Sequence, residues 1–372
     1  MKIIILFGTR PETIKCAPLI LEGKRKGLEV KVVFTGQHKE MALPLLDFFK
    51  IEPDIHLNLM RKNQSLSELS ALALTELEKY QELKDADAIV VQGDTTSAFI
   101  GGYWGFLNKI PVVHLEAGLR TYDLKAPFPE EGNRQLLSRI ASLHLAPTSM
   151  AQTYLEQERV QGTIATIGNT GIDSLKIVIE ELKKTQQSFI PSHIQNFLGE
   201  KKLCLITGHR RENFGDGFKN ISQALTALAK SYPDIAFVYP VHLNPEVQKI
   251  VLPMLGNISN ILLAPPVDYI PFIALMQRAD IILTDSGGVQ EEAPSLRKPV
   301  IVMREVTERP EGVEAGFAKL VGTDPQKIEE AFRQALKFGC QGKGENPYGD
   351  GKASERAIDI ILKSLYKKEV NL

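Results

Sequence analysis

The sequence predicts an α/β protein built from two successive doubly wound domains. Three observations carry this reading. Short β-branched runs alternate with longer helical stretches along almost the whole chain, the runs are continuously apolar, and 372 residues exceed one ordinary core. Continuous apolar runs suit strands buried on both faces, with helices as the crossovers between parallel neighbours. In the first half the runs fall at 2–7, 30–35, 88–92, 112–116, 144–146 and 164–167. In the second they fall at 203–207, 236–239, 261–263, 281–284, 300–303 and 318–321. The break is expected near Thr170 and Gly171, giving an N-terminal domain over 1–170 and a C-terminal one over 171–352. The charged helical stretch at 180–184 reads as a solvated face, and Gln186-Gln187-Ser188 leads to the next strand. Past Gly351 a helical pattern gathers Ala357, Ile358, Ile361, Leu362 and Leu365. That last helix, within 353–372, is expected to cover an apolar patch on the first domain.

Composition narrows the partners. The chain is 43% apolar and 24% charged with a formal net charge of −1, and it lacks the clustered positive charge of a nucleic-acid binder. An anionic ligand must therefore be held by local groups. Cys16, Cys204 and Cys340 are odd in number and far apart, which fits structural roles in a reducing compartment and gives no metal-ligand pattern. The N-terminal apolar run is too short for a signal peptide. The stretch 98–107 falls short of the roughly 20 residues that span a bilayer. A cytoplasmic protein with no membrane, nucleic-acid or metal partner is the expectation.

In open α/β sheets ligands bind at the carboxyl ends of the strands, and polar groups gather there repeatedly. The first strand leads into Gly8-Thr9-Arg10-Pro11-Glu12, with Lys15 one turn on. The third leads into Gly93-Asp94-Thr95-Thr96, and the fourth into His114-Leu115-Glu116-Ala117-Gly118-Leu119-Arg120. In the second half the ends give Gly208-His209-Arg210-Arg211-Glu212-Asn213, then Pro240-Val241-His242. The run 281–284 ends in Asp285-Ser286-Gly287-Gly288-Val289-Gln290-Glu291-Glu292. There the small residues leave backbone N–H groups open to an anion at a helix start, and two carboxylates follow for sugar hydroxyls. So many sites spread over two domains imply a cleft between the domains, and phosphate beside polyol implies a nucleotide or nucleotide sugar. Bland readings stand beside these. Asp94 can be the N-cap of the next helix. Glu130 and Glu131 follow Pro129 as acids in a first turn with Pro at N1, and one of them does no more than that. His242 can be a satisfied buried histidine. Glu116, ending an apolar strand, should be partly buried with a raised pKa or a specific partner.

Taken in order, these motifs resemble the non-hydrolysing UDP-N-acetylglucosamine 2-epimerase family. The resemblance also includes Pro-Glu-Glu-Gly-Asn-Arg (129–134), Tyr-Pro-Val-His-Leu-Asn-Pro (239–245) and Thr-Glu-Arg-Pro-Glu (307–311), and it covers essentially the whole chain. It implies a GT-B-type pair of Rossmann-like domains with the active site in the interdomain cleft, and a homodimer. It implies reversible conversion of UDP-GlcNAc to UDP-ManNAc for surface polysaccharide synthesis. Arg10 and Lys15 match positions facing the nucleotide sugar. His209, Phe272, Ser286, Gly287, Gly288, Glu292 and Arg309 match positions that hold UDP, with Glu292 on the ribose. Asp94, Glu116 and Glu130 match the acids assigned to catalysis, with His209 beside the leaving group, so Glu131 keeps the helix-start reading.

No Gly-x-Gly-x-x-Gly follows the first strand, so no nicotinamide or other cofactor is expected. The resemblance implies the family's route for inversion at C2: elimination of UDP to a 2-acetamidoglucal and re-addition. The Ser286–Gly288 N–H groups steady the departing phosphate, and the three carboxyls move the proton; which of them is the base stays open. Some relatives bind a second UDP-GlcNAc as an activator. The matching positions here are Gln37, His38, Arg210 and His242, whereas Glu40 replaces a glutamine and Asn63, within 60–64, replaces an arginine. The competing functions are a hydrolysing 2-epimerase releasing ManNAc and UDP, a 2-epimerase of a UDP-diacetamido uronic acid, a non-catalytic UDP-sugar sensor and a glycosyltransferase of the same fold.

Overall fold

The computed structural model describes residues 1–61, 63–185 and 188–369, with side chains described as far as Leu365 in the last helix. Lys62 in the 60–64 segment and Gln186-Gln187 of the expected connection lie outside the described residues. The chain forms two compact units, Met1–Ser174 with Gly349–Leu372, and Leu175–Tyr348.

In the first unit β1 (Lys2–Phe7), α1 (Arg10–Arg25), β2 (Glu29–Phe34), α2 (Lys39–Phe48) and β3 (Ile55–His56) run outward in one direction. Then come α3 (Leu66–Leu77), β4 (Ala88–Gln92), α4 (Thr96–Leu107), β5 (Val112–Leu115) and α5 (Glu130–Ile140). The series closes with β6 (Leu143–Ala146), α6 (Ser149–Gln157), β7 (Thr163–Thr166) and α7 (Thr170–Lys184). The sheet order is β3-β2-β1-β4-β5-β6-β7, every pair parallel. The strand direction of travel reverses between β1 and β4, the crevice position at which such sheets bind ligands.

The second unit repeats the plan. It holds α8 (Ser192–Leu198), β8 (Lys202–Thr207), α9 (Asp216–Ser231), β9 (Ile235–Pro240), α10 (Pro245–Leu255) and β10 (Ile261–Ala264). These are followed by α11 (Tyr269–Arg278), β11 (Ile281–Thr284), α12 (Gly287–Glu292), β12 (Val300–Val302), α13 (Pro310–Glu314), β13 (Ala318–Leu320) and α14 (Pro325–Phe338). Its parallel order is β10-β9-β8-β11-β12-β13, so the reversal falls between β8 and β11. The last helix, α15 (Ala353–Glu369), belongs to the first unit.

The continuous apolar runs behave as buried strands do. Ile3, Ile4, Ile5 and Leu6 are all solvent-free, which requires cover on both faces of the sheet. Helix α4 lies unusually tight. A Cβ on Gly102 would sit 2.5 Å from Leu137 and one on Gly105 2.4 Å from Ile89, so the glycines of 101–105 set its depth against β4 and α5. Helix α15 buries Ala353, Ala357, Ile358 and Ile361. Ile358 meets the Gly23 face of α1, and Lys26 pairs with Asp359. Its start is held by Asp173, whose carboxylate accepts the N–H groups of Ala353 (3.2 Å) and Ser354 (2.7 Å). The unit boundary falls within α7, whose first residue is the Thr170 at which the break was expected. The two-residue edge strand β3 was not foreseen, being too short to show a period.

Candidate active site

The first strand end of unit one is organised by a carboxylate that the motif reading left without a role. Thr9 caps α1 and forms a capping box with Glu12. The Glu12 carboxylate is buried and accepts from Gly8 N (3.0 Å), Thr9 N (2.7 Å) and Thr95 Oγ1 (2.6 Å). Glu12 therefore ties the loop after β1 to the loop after β4, across the reversal in strand order. Burial raises its pKa, and the hydrogen bonds from Thr95, Thr9 and Gly8 work against that rise. Arg10 is the first residue of α1 and is half-buried. Its side chain makes no hydrogen bond or ion pair with another described residue.

One turn further, Lys15 forms an ion pair with Glu116, and Gln92 at the end of β4 donates to the other Glu116 oxygen. Strand β5 ends at Leu115, one residue earlier than expected, and Glu116 stands just past it at φ +62°. A non-glycine residue rarely adopts that conformation, and here it turns the carboxylate towards Lys15 and Gln92. The specific partner expected of Glu116 is present.

Asp94 is not an N-cap: Thr95 caps α4, accepting from Ala98 N at 3.0 Å. That leaves the Asp94 carboxylate for Arg134, whose Nε donates at 2.8 Å, while Asn133 donates to the Asp94 carbonyl at 2.8 Å. Burial raises the Asp94 pKa, Arg134 and Lys15 oppose it, and Glu130 reinforces it. Glu130 opens α5, with Pro129 one residue earlier than expected, at the cap position. Its Oε2 is buried with no hydrogen-bond partner among the described residues. His114, fully buried on β5, donates from Nε2 to Gly93 O at 2.7 Å and so fixes the peptide leading to Asp94. Burial lowers its pKa to about 3, which keeps the ring neutral.

Glu131 does more than start a helix. It is fully buried and accepts from Thr121 N (3.0 Å), Tyr122 N (3.2 Å) and Gln135 Nε2 (2.9 Å), bracing the 121–122 loop rather than its own helix end. Burial raises its pKa, but the combined hydrogen bonds and Arg134 prevail and lower it. Arg120, from the same motif as Glu116, is held by Glu158, Ser138 Oγ and Leu119 O, a structural role. Gln37 accepts from Ser97 Oγ at 3.0 Å. His38 donates its backbone N–H to Gly8 O at 2.8 Å, and burial lowers its pKa.

In unit two, Asp285 plays the part that Glu12 plays in unit one. It is fully buried past β11 and accepts from His209 N (2.9 Å), Arg210 N (2.9 Å) and Asn213 Nδ2 (3.2 Å). This ties the loop after β8 to the loop after β11. Tyr239 adds a hydrogen bond to Gly208 O at 3.0 Å. The His209 ring lies with Nδ1 3.4 Å from Asp285 and stacks on His242, centroids 5.5 Å apart and 25° between planes. Burial lowers the His209 pKa against the pull of Asp285, with Arg210 and His242 assisting. His242 is exposed, so it is not a buried histidine; its Nδ1 accepts from Asn244 N at 3.1 Å. Arg210 carries a buried Nε with no hydrogen-bond partner among the described residues.

The small-residue turn enters α12 as expected, with one correction. Ser286 N already donates to Thr284 Oγ1 at 2.9 Å, so the open donors are those of Gly287 and Gly288. The Arg309 guanidinium packs against Gly287: a Cβ there would be 2.6 Å from its Cζ. Glu291 holds Arg309 there, accepting from its Nε at 2.7 Å. Glu292 accepts from Tyr269 Oη at 3.0 Å. Phe272 stands one helical turn from Tyr269 on α11, half-buried. Unit one thus collects Lys15, Asp94, Glu116 and Glu130, and unit two collects His209, His242, Gly287, Glu292 and Arg309. Sequence reasoning missed the braces, namely Glu12, Asn133, Arg134, Asp285 and Tyr269. Only Glu12 carried a local signal, the Thr-x-x-Glu capping box. Among the described residues no cluster has the makings of a metal site, and no helix is long and apolar enough to cross a membrane.

Comparison with known proteins agrees with this geometry. The family model described as UDP-N-acetylglucosamine 2-epimerase matches residues 22–362. The Neisseria meningitidis serogroup A UDP-N-acetylglucosamine 2-epimerase is 45% identical over 371 residues, 98% of this chain and 100% of that protein. The crystal structure of a Neisseria meningitidis UDP-GlcNAc 2-epimerase bound to UDP-GlcNAc superposes with a TM-score of 0.87 at 44% identity, covering 98% of this chain and 100% of that one. A Staphylococcus aureus protein solved with UDP gives 0.86 at 43% identity, with 98% and 97% covered. Two parallel sheets with strand-order reversals at β1/β4 and β8/β11, a glycine turn beside an arginine, and this likeness over nearly the full length lead to one conclusion: the chain belongs to the UDP-N-acetylglucosamine 2-epimerase family.

Proposed function

We propose that the protein interconverts UDP-GlcNAc and UDP-ManNAc without hydrolysis, by eliminating UDP and adding it back. The observation that carries this reading is a division of labour between the units. One unit holds two carboxyls just past strand ends and a third at the start of α5, and the other holds a glycine turn with a cation beside it. Gly287, Gly288 and Arg309 take the diphosphate, with His209 beside it. Glu292, Tyr269 and Phe272 take the nucleoside, and Arg10 and Lys15 reach the sugar end of the same substrate.

In the forward direction a carboxylate removes the C2 proton, the C2–H electron pair forms the C1=C2 bond, and the C1–O bond to UDP breaks. The charge gathering on the β-phosphate is met by donors already in place, which lowers the barrier without reorganisation. In the return, C2 takes a proton on the opposite face and the UDP oxygen re-forms the bond to C1. Asp94, Glu116 and Glu130 supply the proton acceptor and donor from separate loops. Burial that raises the Asp94 pKa moves it towards a value suited to proton transfer at neutral pH.

We assign the working form as a cytoplasmic homodimer that supplies polysaccharide synthesis. Support for the dimer is an apolar stripe on α4 and α5, where Phe106, Leu107 and Leu136 are each more than half exposed. We also place Gln37, His38, Arg210 and His242 at a second UDP-GlcNAc site that activates turnover. A rate that rises linearly with UDP-ManNAc and ignores added UDP-GlcNAc would remove that assignment. The test of the main reaction is incubation of UDP-GlcNAc in D2O followed by NMR. UDP-ManNAc carrying deuterium at C2 is the expected product. Free ManNAc with UDP identifies a hydrolase instead, and retained hydrogen at C2 sinks the elimination.

A further inference from the structure

We propose that Arg134 is the positioning residue that holds Asp94 in its working place and keeps it ionised. The inference rests on the reading of Asp94 as a proton-transfer group, and it accounts for the Asn133-Arg134 pair that ends the Pro-Glu-Glu-Gly-Asn-Arg segment. Both side chains reach from the second turn of α5 to one residue of the β4 loop. Asn133 grips the Asp94 carbonyl and Arg134 its carboxylate, each at 2.8 Å. Two anchors on one residue fix its backbone and its side chain together.

Arg134 is itself held. Its Nη1 lies 3.4 Å from Glu131 Oε2, and Glu131 is locked by the 121–122 backbone and Gln135. The guanidinium is therefore clamped between two carboxylates, with its side chain 11% exposed. A cation that cannot swing away keeps its effect on the neighbouring acid constant through a catalytic cycle.

The other groups around Asp94 make this cation decisive. Glu130, four residues from Arg134 on α5, adds negative charge. Lys15 of α1 adds positive charge but is engaged with Glu116. His114 of β5 is neutral and bonds Gly93 O. Burial and Glu130 favour a protonated Asp94; Arg134 is the principal force against them. An opposite charge in direct contact lowers an aspartate pKa by about 1–3 units.

The experiment compares Arg134→Met and Arg134→Lys with the parent protein, reading kcat and KM with UDP-GlcNAc over roughly pH 5.5 to 9.5, a span that covers a carboxyl titration raised by burial. Loss of the cation should move the acid limb of kcat up by about 1–3 pH units, with activity recovering at high pH and KM changed little. Arg134→Lys should return the limb most of the way. Activity lost equally at every pH, or a lysine variant no better than methionine, overturns the proposal and leaves Arg134 a packing residue. If Arg134→Met does not fold, Arg134→Gln keeps a donor without the charge and must show the same shift. Asp94→Asn is run alongside. Full turnover in that variant means that Asp94 moves no proton, which overturns the premise whatever the Arg134 variants do.

Discussion

Gly287→Ala separates the binding of UDP from the stability of the fold. The added methyl would lie 2.6 Å from Arg309 Cζ and 2.8 Å from its Nε and Nη1, well inside ordinary contact. What it meets is the far end of a flexible side chain, so the guanidinium must move while the backbone stays. The loss is then the Arg309–Glu291 contact at 2.7 Å and the cation beside the turn at Gly287. A hydrogen bond to a charged group contributes about 1.5–3 kcal/mol. At about 1.4 kcal/mol per decade, UDP should bind roughly 10- to 150-fold more weakly. Stability should hardly follow. Alanine is the better helix former by up to about 1 kcal/mol, which offsets the loosened ion pair. Isothermal titration with UDP, paired with a urea transition, reads both. UDP affinity within threefold of the parent would show that Arg309 does not touch the diphosphate.

Two further predictions concern unit one. Asp94→Asn and Glu116→Gln should each lower kcat by about 100-fold or more while leaving UDP affinity within a few-fold, as expected for proton-transfer groups. Loss of UDP binding in both, measured by titration, would remove them from that role. His114→Gln keeps an N–H for Gly93 O but does not titrate. The folded pKa of His114 is about 3, below its unfolded value near 6.5, so its contribution is present above that pH and is lost as the pH falls towards 3. Between pH 7 and 5 the parent should lose about 2 kcal/mol through this one group. The variant should lose less, the remaining slope coming in part from His144, whose pKa burial also lowers. The fluorescence of Trp104, the only tryptophan and buried in this unit, follows the transition. Identical slopes for parent and variant would refute the assignment.

Much of the fold was legible because parallel strands buried on both faces leave an uninterrupted apolar signature, as β1 does from Ile3 to Leu6. The motif positions were legible for a related reason: loops after such strands are where polar groups meet ligands. What local spacing left open, and the resemblance alone decided, was which of two neighbouring acids does what. Glu130 and Glu131 are the same residue type in the same turn, yet α5 turns one towards Asp94 and buries the other beneath the 121–122 loop. That split depends on a backbone ten residues away and leaves no trace in local spacing. Ser286 is similar. Its N–H looks open in the sequence, but the hydroxyl of Thr284, two residues earlier, has already taken it.

The braces explain why the reactive groups can sit on loops at all. Glu12, Glu131 and Asp285 are buried carboxylates, and an isolated buried charge is costly to desolvate. Each recovers that cost by accepting at least two backbone N–H groups, bonds that are about twice as strong as neutral ones. The N–H groups are those of the loops themselves, at 8–9, 121–122 and 209–210. Removing such a carboxylate therefore leaves several donors unpaired at once, where a distant core change would leave none. The damage from these substitutions should be cooperative and local: loss of Asp285 should disorder the His209 loop and leave the unit-one carboxyls untouched. Conversely, loss of Glu12 should free the Thr95 loop beside Asp94 while UDP still binds.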